Sequence, residues 1–129
     1  MLTQQTSDPP QDSLEPVCSA SDVLAVAEEA RAVYVEESVN RYVVAVLRHT
    51  RADSRLYLGA SPRAGIQLLR VAKARALAAG RSFVSPDDVK AVAEPVLAHR
   101  LIVAPEARTA GLAAEDLVRE AVEKTPVPV

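Results

Sequence analysis

Apolar residues recur at helical spacing along this chain, and this pattern constrains the fold more than any other feature. The pattern is clearest between residues 36 and 50, where apolar side chains fall at i, i+3, i+4, i+7 and i+8: Val39, Tyr42, Val43, Val46 and Leu47. Residues 86–97 repeat this spacing. Because such a stripe is stable only when it is buried against another element, the chain is predicted to pack helix against helix.

Cap and stop signals divide the chain into about five predicted helices, so the expected fold is all-α, a small helical bundle. The helices are expected at about 21–33, 36–50, 62–79, 86–97 and 114–124. Ser21 and Ser61 are expected N-caps, and Gly80 is the expected stop of the third helix. Residues 51–60 are interpreted as a loop, and Pro95 is expected to kink or split the fourth helix.

The composition of the 129-residue chain excludes several classes of protein. The net charge of −2 and the pI of about 5.7 argue against general nucleic-acid binding, which requires a basic surface. No apolar run approaches the roughly 20 residues that span a bilayer, and no signal peptide is recognisable. Cys18 is the single cysteine, so no internal disulfide forms and a cytoplasmic location is the expectation.

Motifs that carry phosphate-binding or catalytic chemistry are missing from the sequence. None of the four glycines precedes a lysine, so there is no phosphate-binding loop. His49 and His99 lie far apart, and no zinc-binding spacing is present, so no metal site is predicted. Asp87 and Asp88 follow Ser85 closely and are interpreted as part of a capped helix start rather than as paired catalytic carboxylates. The chain alone therefore has no complete catalytic machinery.

The sequence Ser61-Pro62-Arg63 places a cation at the predicted start of the third helix. A cation there is disfavoured by about 0.3–1 kcal/mol, because the helix start carries positive partial charge. A charge-assisted hydrogen bond to an arriving anion contributes about 1.5–3 kcal/mol and would offset this cost. Gln67 and Arg70 share the polar face with Arg63. Two interpretations stay open: Arg63 belongs to an anion site, or its side chain is free in solvent.

The third helix also carries a second, smaller apolar strip, formed by Ile66 and Leu77 beside the basic row. A helix with two apolar strips often packs against two elements, and the second could be a neighbouring domain. Arg75 falls inside the main apolar arc, where it is expected to extend to solvent or to pair with a carboxylate.

Several separated blocks of the sequence resemble the C-terminal helical lid of MoxR-type AAA+ ATPases. These blocks are "GASPRA", "AKARALAAGRSFVSPDDVKAVAEPVLAHRL", the upstream "RAVYVEESVNRYVVAVLRHTR" and the closing "VPV". The resemblance covers about residues 15–128, with the blocks in the same order as in the family. It implies a lid domain over residues 18–129 and a junction between core and lid over residues 1–17.

The resemblance also implies roles for individual residues. In the family, the arginine of Ser-Pro-Arg is the sensor 2 residue, which implies that Arg63 reaches from the lid to the γ-phosphate of ATP on the core domain. Ser61 and Pro62 would shape the turn that aims it, and Ala60 and Ala64 would allow close approach. The chain would thus contribute to ATP sensing, with ATP and Mg²⁺ bound only in a full-length ATPase and no cofactor bound by this chain alone.

The family resemblance further implies a ring assembly and interaction partners. MoxR-type ATPases form rings, usually hexamers, with chaperone-like roles in the maturation of other proteins. The expected partners are an AAA+ core domain or neighbouring ATPase subunits, and proteins with von Willebrand factor A domains; neither nucleic acid nor membrane is expected. The departure from the family is that Walker A, Walker B, sensor 1 and the arginine finger are all absent. The chain is then either a truncated gene product or a lid that stands alone.

Two other functions are compatible with the sequence. The chain could be a non-enzymatic helical module that dimerises or regulates a related ATPase, with Ile66 and Leu77 as its contact surface. DNA binding through Arg48, Arg51 and Arg55 is weaker, because the acidic total and the 3% aromatic content argue against it.

Overall fold

The structure is a computed structural model that describes residues 14–128, so most of the predicted junction at residues 1–17 lies outside the described residues. In the described part the elements follow in the order α1 (Ala20–Ala32), α2 (Glu37–Ala52), β1 (Leu56–Leu58), α3 (Pro62–Ala78), α4 (Pro86–Leu97), a 3-10 turn (Ala98–Arg100), β2 (Ile102–Val103), α5 (Pro105–Thr109) and α6 (Ala114–Lys124). The predicted all-α class is confirmed.

The core lies where α2, α3, α4 and α6 meet. One large aliphatic side chain from each helix is almost completely buried there: Val46, Leu68, Leu97 and Leu117. Burial of such a side chain contributes about 1.5–3 kcal/mol, so this cluster contributes substantially to the stability of the bundle. Between residues 14 and 128, no helix combines the length and the apolar character needed to cross a bilayer.

The C-terminal end of α3 follows the predicted stop at Gly80. This glycine has φ +72°, a left-handed conformation that side chains with a Cβ rarely adopt. The amide of Arg81 donates to the carbonyl of Ala76 at 2.9 Å, and the amide of Gly80 donates to the carbonyl of Leu77 at 2.8 Å. These two bonds satisfy carbonyls at the helix end in a Schellman motif, which ends α3 and turns the chain towards α4.

The predicted N-cap of the first helix is wrong. Ser19, not Ser21, caps α1: its hydroxyl accepts from the Asp22 amide at 3.2 Å, and the Asp22 carboxylate accepts from the Ser19 amide at 2.7 Å. The reciprocal pair needs an acceptor three residues after the cap, and Asp22 has that spacing from Ser19. Ser21 is therefore inside the helix.

Two further predictions in the middle of the chain need correction. The predicted loop at residues 51–60 contains strand β1, which pairs antiparallel with β2 about 45 residues later. Local sequence patterns do not indicate which distant segment a strand will pair with. Pro95 does not split α4, which continues to Leu97 and tightens into the 3-10 turn. Because Pro95 lies close to the helix end, its missing N–H removes a single hydrogen bond and the helix tolerates it.

A buried carboxylate joins the end of α3 to the start of α4. Asp88 is 2% exposed, and the Arg81 guanidinium donates to both of its oxygens at 2.6 and 2.7 Å. The backbone amide and the hydroxyl of Ser85 both donate to the Asp88 carboxylate at 2.9 Å. The nitrogen Nε of Arg75 lies 3.5 Å from the same carboxylate, which confirms that Arg75 pairs with an acid. The predicted capping role of Asp88 is likewise confirmed.

Candidate functional site

The start of α3 matches the sequence prediction residue by residue. Ser61 is the N-cap in an extended conformation, its hydroxyl accepts from the Ala64 amide at 3.3 Å, and Pro62 is the first helical residue. Arg63 follows, and the first turn contains no acidic residue. Its side chain is exposed and makes no hydrogen bond or ion pair with any other residue between 14 and 128. The helix start therefore presents a cation that has no partner among the described residues.

The two alanines beside this turn, expected to allow close approach, have buried side chains. Ala60 and Ala64 are both 0% exposed and belong to the hydrophobic core. Their methyl groups pack inside the bundle, because the turn lies against the end of α2. Their small size therefore serves the internal packing of the bundle, and the exposed part of the turn consists of Ser61, Pro62 and Arg63.

The loop before this turn lies directly on the backbone of α2. A Cβ added to Gly59 would stand 2.7 Å from the Arg51 Cα and 2.7 Å from the Thr50 carbonyl oxygen. Real Cβ atoms do not approach backbone atoms so closely, so glycine is the residue that allows this contact. The Thr50 hydroxyl, which is buried, accepts from the amide of Ala60 at 3.0 Å and donates to the carbonyl of Leu47 at 2.8 Å.

A second glycine brings α2 and α3 together just after the turn. A Cβ on Gly65 would stand 2.6 Å from the Leu47 Cδ1 and 3.6 Å from the Val43 Cγ1. The apolar stripe of α2 therefore packs against the backbone of the first turns of α3. Contacts on both sides of Arg63, at Gly59 and at Gly65, thus fix the helix start against α2.

An apolar groove of about 320 Å³ opens beside the turn, between α2 and α3. Its lining is mostly aliphatic and includes Pro62, Ile66 and Leu69 from α3. The side chains of Arg48 and Arg51 lie along its α2 side, and no carboxylate from residues 14–128 lines it. Groove and turn together form a surface with an apolar floor and cationic edges, which is suited to an anionic partner.

The three arginines considered for DNA binding do not lie together on one surface that is available to a partner. Arg55 is held between two carboxylates, with its Nη2 2.7 Å from Asp53 Oδ2 and 2.9 Å from Glu120 Oε2. The hydrogen bonds from Arg55 lower the pKa of the Glu120 carboxyl to about 2. Arg55 thus ties the β1 loop to α6, whereas Arg48 and Arg51 belong to the groove.

The second apolar strip of α3 is divided between the core and the surface. Leu77 packs against the hydrophobic core, whereas Ile66 is 55% exposed and lines the groove.

In the part of the chain that the structure describes, no group of three or more His, Cys, Asp or Glu side chains is placed to hold a metal ion.

Sequence reasoning missed the contacts that position Arg63, namely Thr50, Gly59 and Gly65. One signal was available: glycines precede and follow the Ser-Pro-Arg turn at short distance, a pattern that indicates close approach of backbone to another element. The role of Thr50 had no such signal, because a threonine near a helix end also fits a solvated position.

Comparison with known proteins identifies the family of this chain. The model of the AAA lid domain family matches residues 48–121, more than half of the chain. The uncharacterized protein YeaC of Bacillus subtilis is 36% identical over 129 residues, which cover 100% of this chain and 40% of that protein. Chaperone MoxR1 of Mycobacterium tuberculosis is 31% identical over 129 residues, covering 93% of this chain and 34% of that protein.

A solved structure has a closely similar fold. A protein of Cytophaga hutchinsonii, provisionally named an ATPase, superposes with a TM-score of 0.85 and 29% sequence identity over 98% of this chain and 41% of that one. The chain thus spans less than half the length of the relatives it matches. It belongs to the AAA lid domain family, and its likeness to MoxR proteins identifies it as a lid of the MoxR type.

Proposed function

We propose that this chain acts as the lid of a MoxR-family AAA+ ATPase, with Arg63 as the sensor 2 residue that meets the γ-phosphate of ATP. The observation that carries the proposal is the exposed Arg63 at a helix start, without an internal partner between residues 14 and 128. The arginines that join two elements of this chain, Arg81 and Arg55, pair with carboxylates. Arg63 is placed instead for an anion that comes from outside.

The residues at this turn fit the phosphate part of ATP. Backbone N–H groups of the first turn of α3 and the Arg63 guanidinium both favour a negative group. Among residues 14–128 no carboxylate lines the groove beside them, so the residues of this turn and groove are not a ligand set for Mg²⁺. Magnesium and the remaining phosphates would be held by a core domain, and ATP bound there would supply the γ-phosphoryl group that is transferred to water.

Partners in this proposal are an AAA+ core domain and neighbouring subunits of a ring. The surface of α1 supports this, since none of its residues is buried and Val23, Leu24 and Val26 are all exposed. Exposed apolar residues in such number indicate contact with another protein surface. A chaperone-like role in the maturation of other proteins, including von Willebrand factor A domain proteins, rests on the family resemblance, and one relative is named a chaperone.

The dimerising module is less well supported, because Leu77 packs in the core of this chain and leaves Ile66 as the exposed member of that strip. The contact surface expected for such a module is therefore smaller than the sequence predicted.

The isolated chain is expected neither to bind ATP tightly nor to hydrolyse it. One charge-assisted contact of about 1.5–3 kcal/mol falls short of the roughly 4 kcal/mol that corresponds to a Kd of 1 mM. Isothermal titration calorimetry with Mg²⁺-ATP and a phosphate-release assay test this. Steady turnover by the purified chain that persists in Arg63→Ala would contradict the proposal.

In a full-length context, Arg63→Ala is expected to lower ATP affinity relative to ADP, and ATP turnover, by about 10- to 150-fold, the equivalent of one charge-assisted bond. The context is a chimera in which this chain replaces the matching segment of the Cytophaga protein. Folding should change little, because the side chain is exposed.

Arg70→Ala is the matched control, because Arg70 lies on the same helix, is exposed and lines a different pocket. Thermal unfolding of each variant reports on folding. Equal turnover and equal preference for ATP in the parent chimera and in Arg63→Ala would rule out the sensor assignment.

A further inference from the structure

Thr50 stands out as a buried polar side chain with two hydrogen-bond partners in different elements. It is 1% exposed and lies near the C-terminal end of α2. Its hydroxyl donates to the Leu47 carbonyl at 2.8 Å, a bond within the helix that satisfies the hydroxyl proton. The same oxygen accepts from the Ala60 amide at 3.0 Å, which lies ten residues further along the chain. The second bond links α2 to the loop that leads into α3.

The bonded residue, Ala60, comes immediately before the N-cap of α3. Ala60 is 0% exposed. Its buried amide would therefore be left without a hydrogen-bond acceptor if the Thr50 oxygen were removed. Gly59, one residue earlier, rests on the backbone of Thr50 and Arg51. Two successive loop residues are therefore held on α2, one by a hydrogen bond and one by close backbone contact. Ser61, Pro62 and Arg63 follow without an intervening flexible residue.

We infer that Thr50 is the positioning residue for Arg63: its hydroxyl fixes the Gly59–Ala60 loop on α2 and thereby sets where the arginine at the start of α3 points. This inference rests on the proposed function of Arg63. The side chain of Arg63 has no partner between residues 14 and 128 that could orient it, so the backbone at the helix start sets the origin and the Cα–Cβ direction from which the guanidinium reaches out. A displacement of about 1 Å in such a group can cost about a hundredfold in rate.

Thr50→Val tests the loop contact in the isolated chain, because valine keeps the shape and removes the acceptor. Amide hydrogen exchange of Ala60 is expected to become about tenfold faster or more in Thr50→Val, whereas Thr50→Ser retains the hydroxyl and the protection. Thr125→Val is the matched control. Thr125, the residue after α6, is also buried, and its hydroxyl donates to the carbonyl of Ala121 at 2.6 Å and not to Gly59 or Ala60. Unchanged exchange of Ala60 in Thr50→Val would overturn the inference.

The chimera with the Cytophaga protein tests whether Thr50 acts through Arg63. Thr50→Val is expected to lower the preference for ATP over ADP by about 10- to 100-fold, with Thr50→Ser and Thr125→Val close to the parent. In an Arg63→Ala background, Thr50→Val should change this preference no further. A purely structural effect would lower nucleotide binding to the same extent in both backgrounds, and that result would overturn the inference.

The outcomes separate this inference from the proposal on which it rests. If Arg63→Ala leaves the preference for ATP unchanged, the sensor assignment fails and the positioning role with it. If Arg63→Ala abolishes the preference while Thr50→Val preserves it, the sensor assignment stands and only the positioning role of Thr50 is overturned.

Discussion

Replacement of Asp88 by asparagine is expected to destabilise the lid by about 2–4 kcal/mol, from the loss of the charge-assisted pair with Arg81 and the weakened cap of α4. The carboxylate is almost fully buried and accepts four hydrogen bonds, two from Arg81 and two from Ser85. An asparagine of the same shape directs an N–H group at a guanidinium that can only donate. Denaturant unfolding followed by circular dichroism measures the change.

The same carboxylate predicts how stability depends on pH. The hydrogen bonds from Arg81 hold the pKa of the Asp88 carboxyl well below its usual range, and they outweigh the opposing effect of burial. A lowered pKa in the folded state means that the stabilisation is fully present above the unfolded pKa, near 3.9, and is lost as the pH falls from there towards the folded value. The wild-type chain should therefore lose stability below about pH 4, and Asp88→Asn should lose less over that interval.

Asp116→Asn is the matched control for Asp88. Asp116 accepts from the Ala113 amide at the start of α6 at 3.2 Å and pairs with Arg119, but its side chain is 44% exposed. Exposed pairs contribute little, so this variant should lie within about 0.5 kcal/mol of the wild type. Comparable destabilisation by both substitutions would contradict the importance assigned to the buried pair.

Gly59→Ala is expected to destabilise the chain by about 3 kcal/mol and to displace the turn that carries Arg63. The added Cβ would meet the backbone of α2 at 2.7 Å, and a helix backbone cannot rotate away as a side chain can. Overpacking of this kind typically costs about 1–3 kcal/mol, and the accompanying loss of the bond from Ala60 to Thr50 places this site at the upper end. Urea unfolding measures the cost.

Gly65→Ala provides the comparison, because its Cβ would be equally close to a neighbour but the neighbour is the terminal methyl of Leu47. A rotation of that side chain relieves the contact, so the cost should be smaller than at Gly59. The reverse order of destabilisation would show that the backbone contact at Gly59 is not what holds the loop.

The sequence was sufficient to predict most of the helices and the local shape of the site. Cap and stop residues act over three to six positions, so Ser61, Pro62 and Gly80 could be assigned from their neighbours alone. Ser19 was missed because Ser21 also precedes an acidic residue, and only the reciprocal bond to Asp22 distinguishes the two serines.

Long-range contacts could not be predicted in the same way. The pairing of β1 with β2 joins segments about 45 residues apart, and the bond from Ala60 to Thr50 depends on how two helices pack. The role of Arg63 was left open by the sequence, since an anion site and a side chain free in solvent both fit a cation at a helix start. The structure places Asp88 with Arg81 and Arg75, and Arg63 lies apart from that cluster.

The most direct test of the central claim, that Arg63 meets a phosphate from outside this chain, is a crystal structure of the chimera with a non-hydrolysable ATP analogue and Mg²⁺. The account predicts that a guanidinium nitrogen of Arg63 lies about 2.7–2.9 Å from an oxygen of the γ-phosphate, the distance of a charge-assisted hydrogen bond. An Arg63 side chain that points into solvent, or that pairs with a protein carboxylate while the analogue is bound, would contradict it.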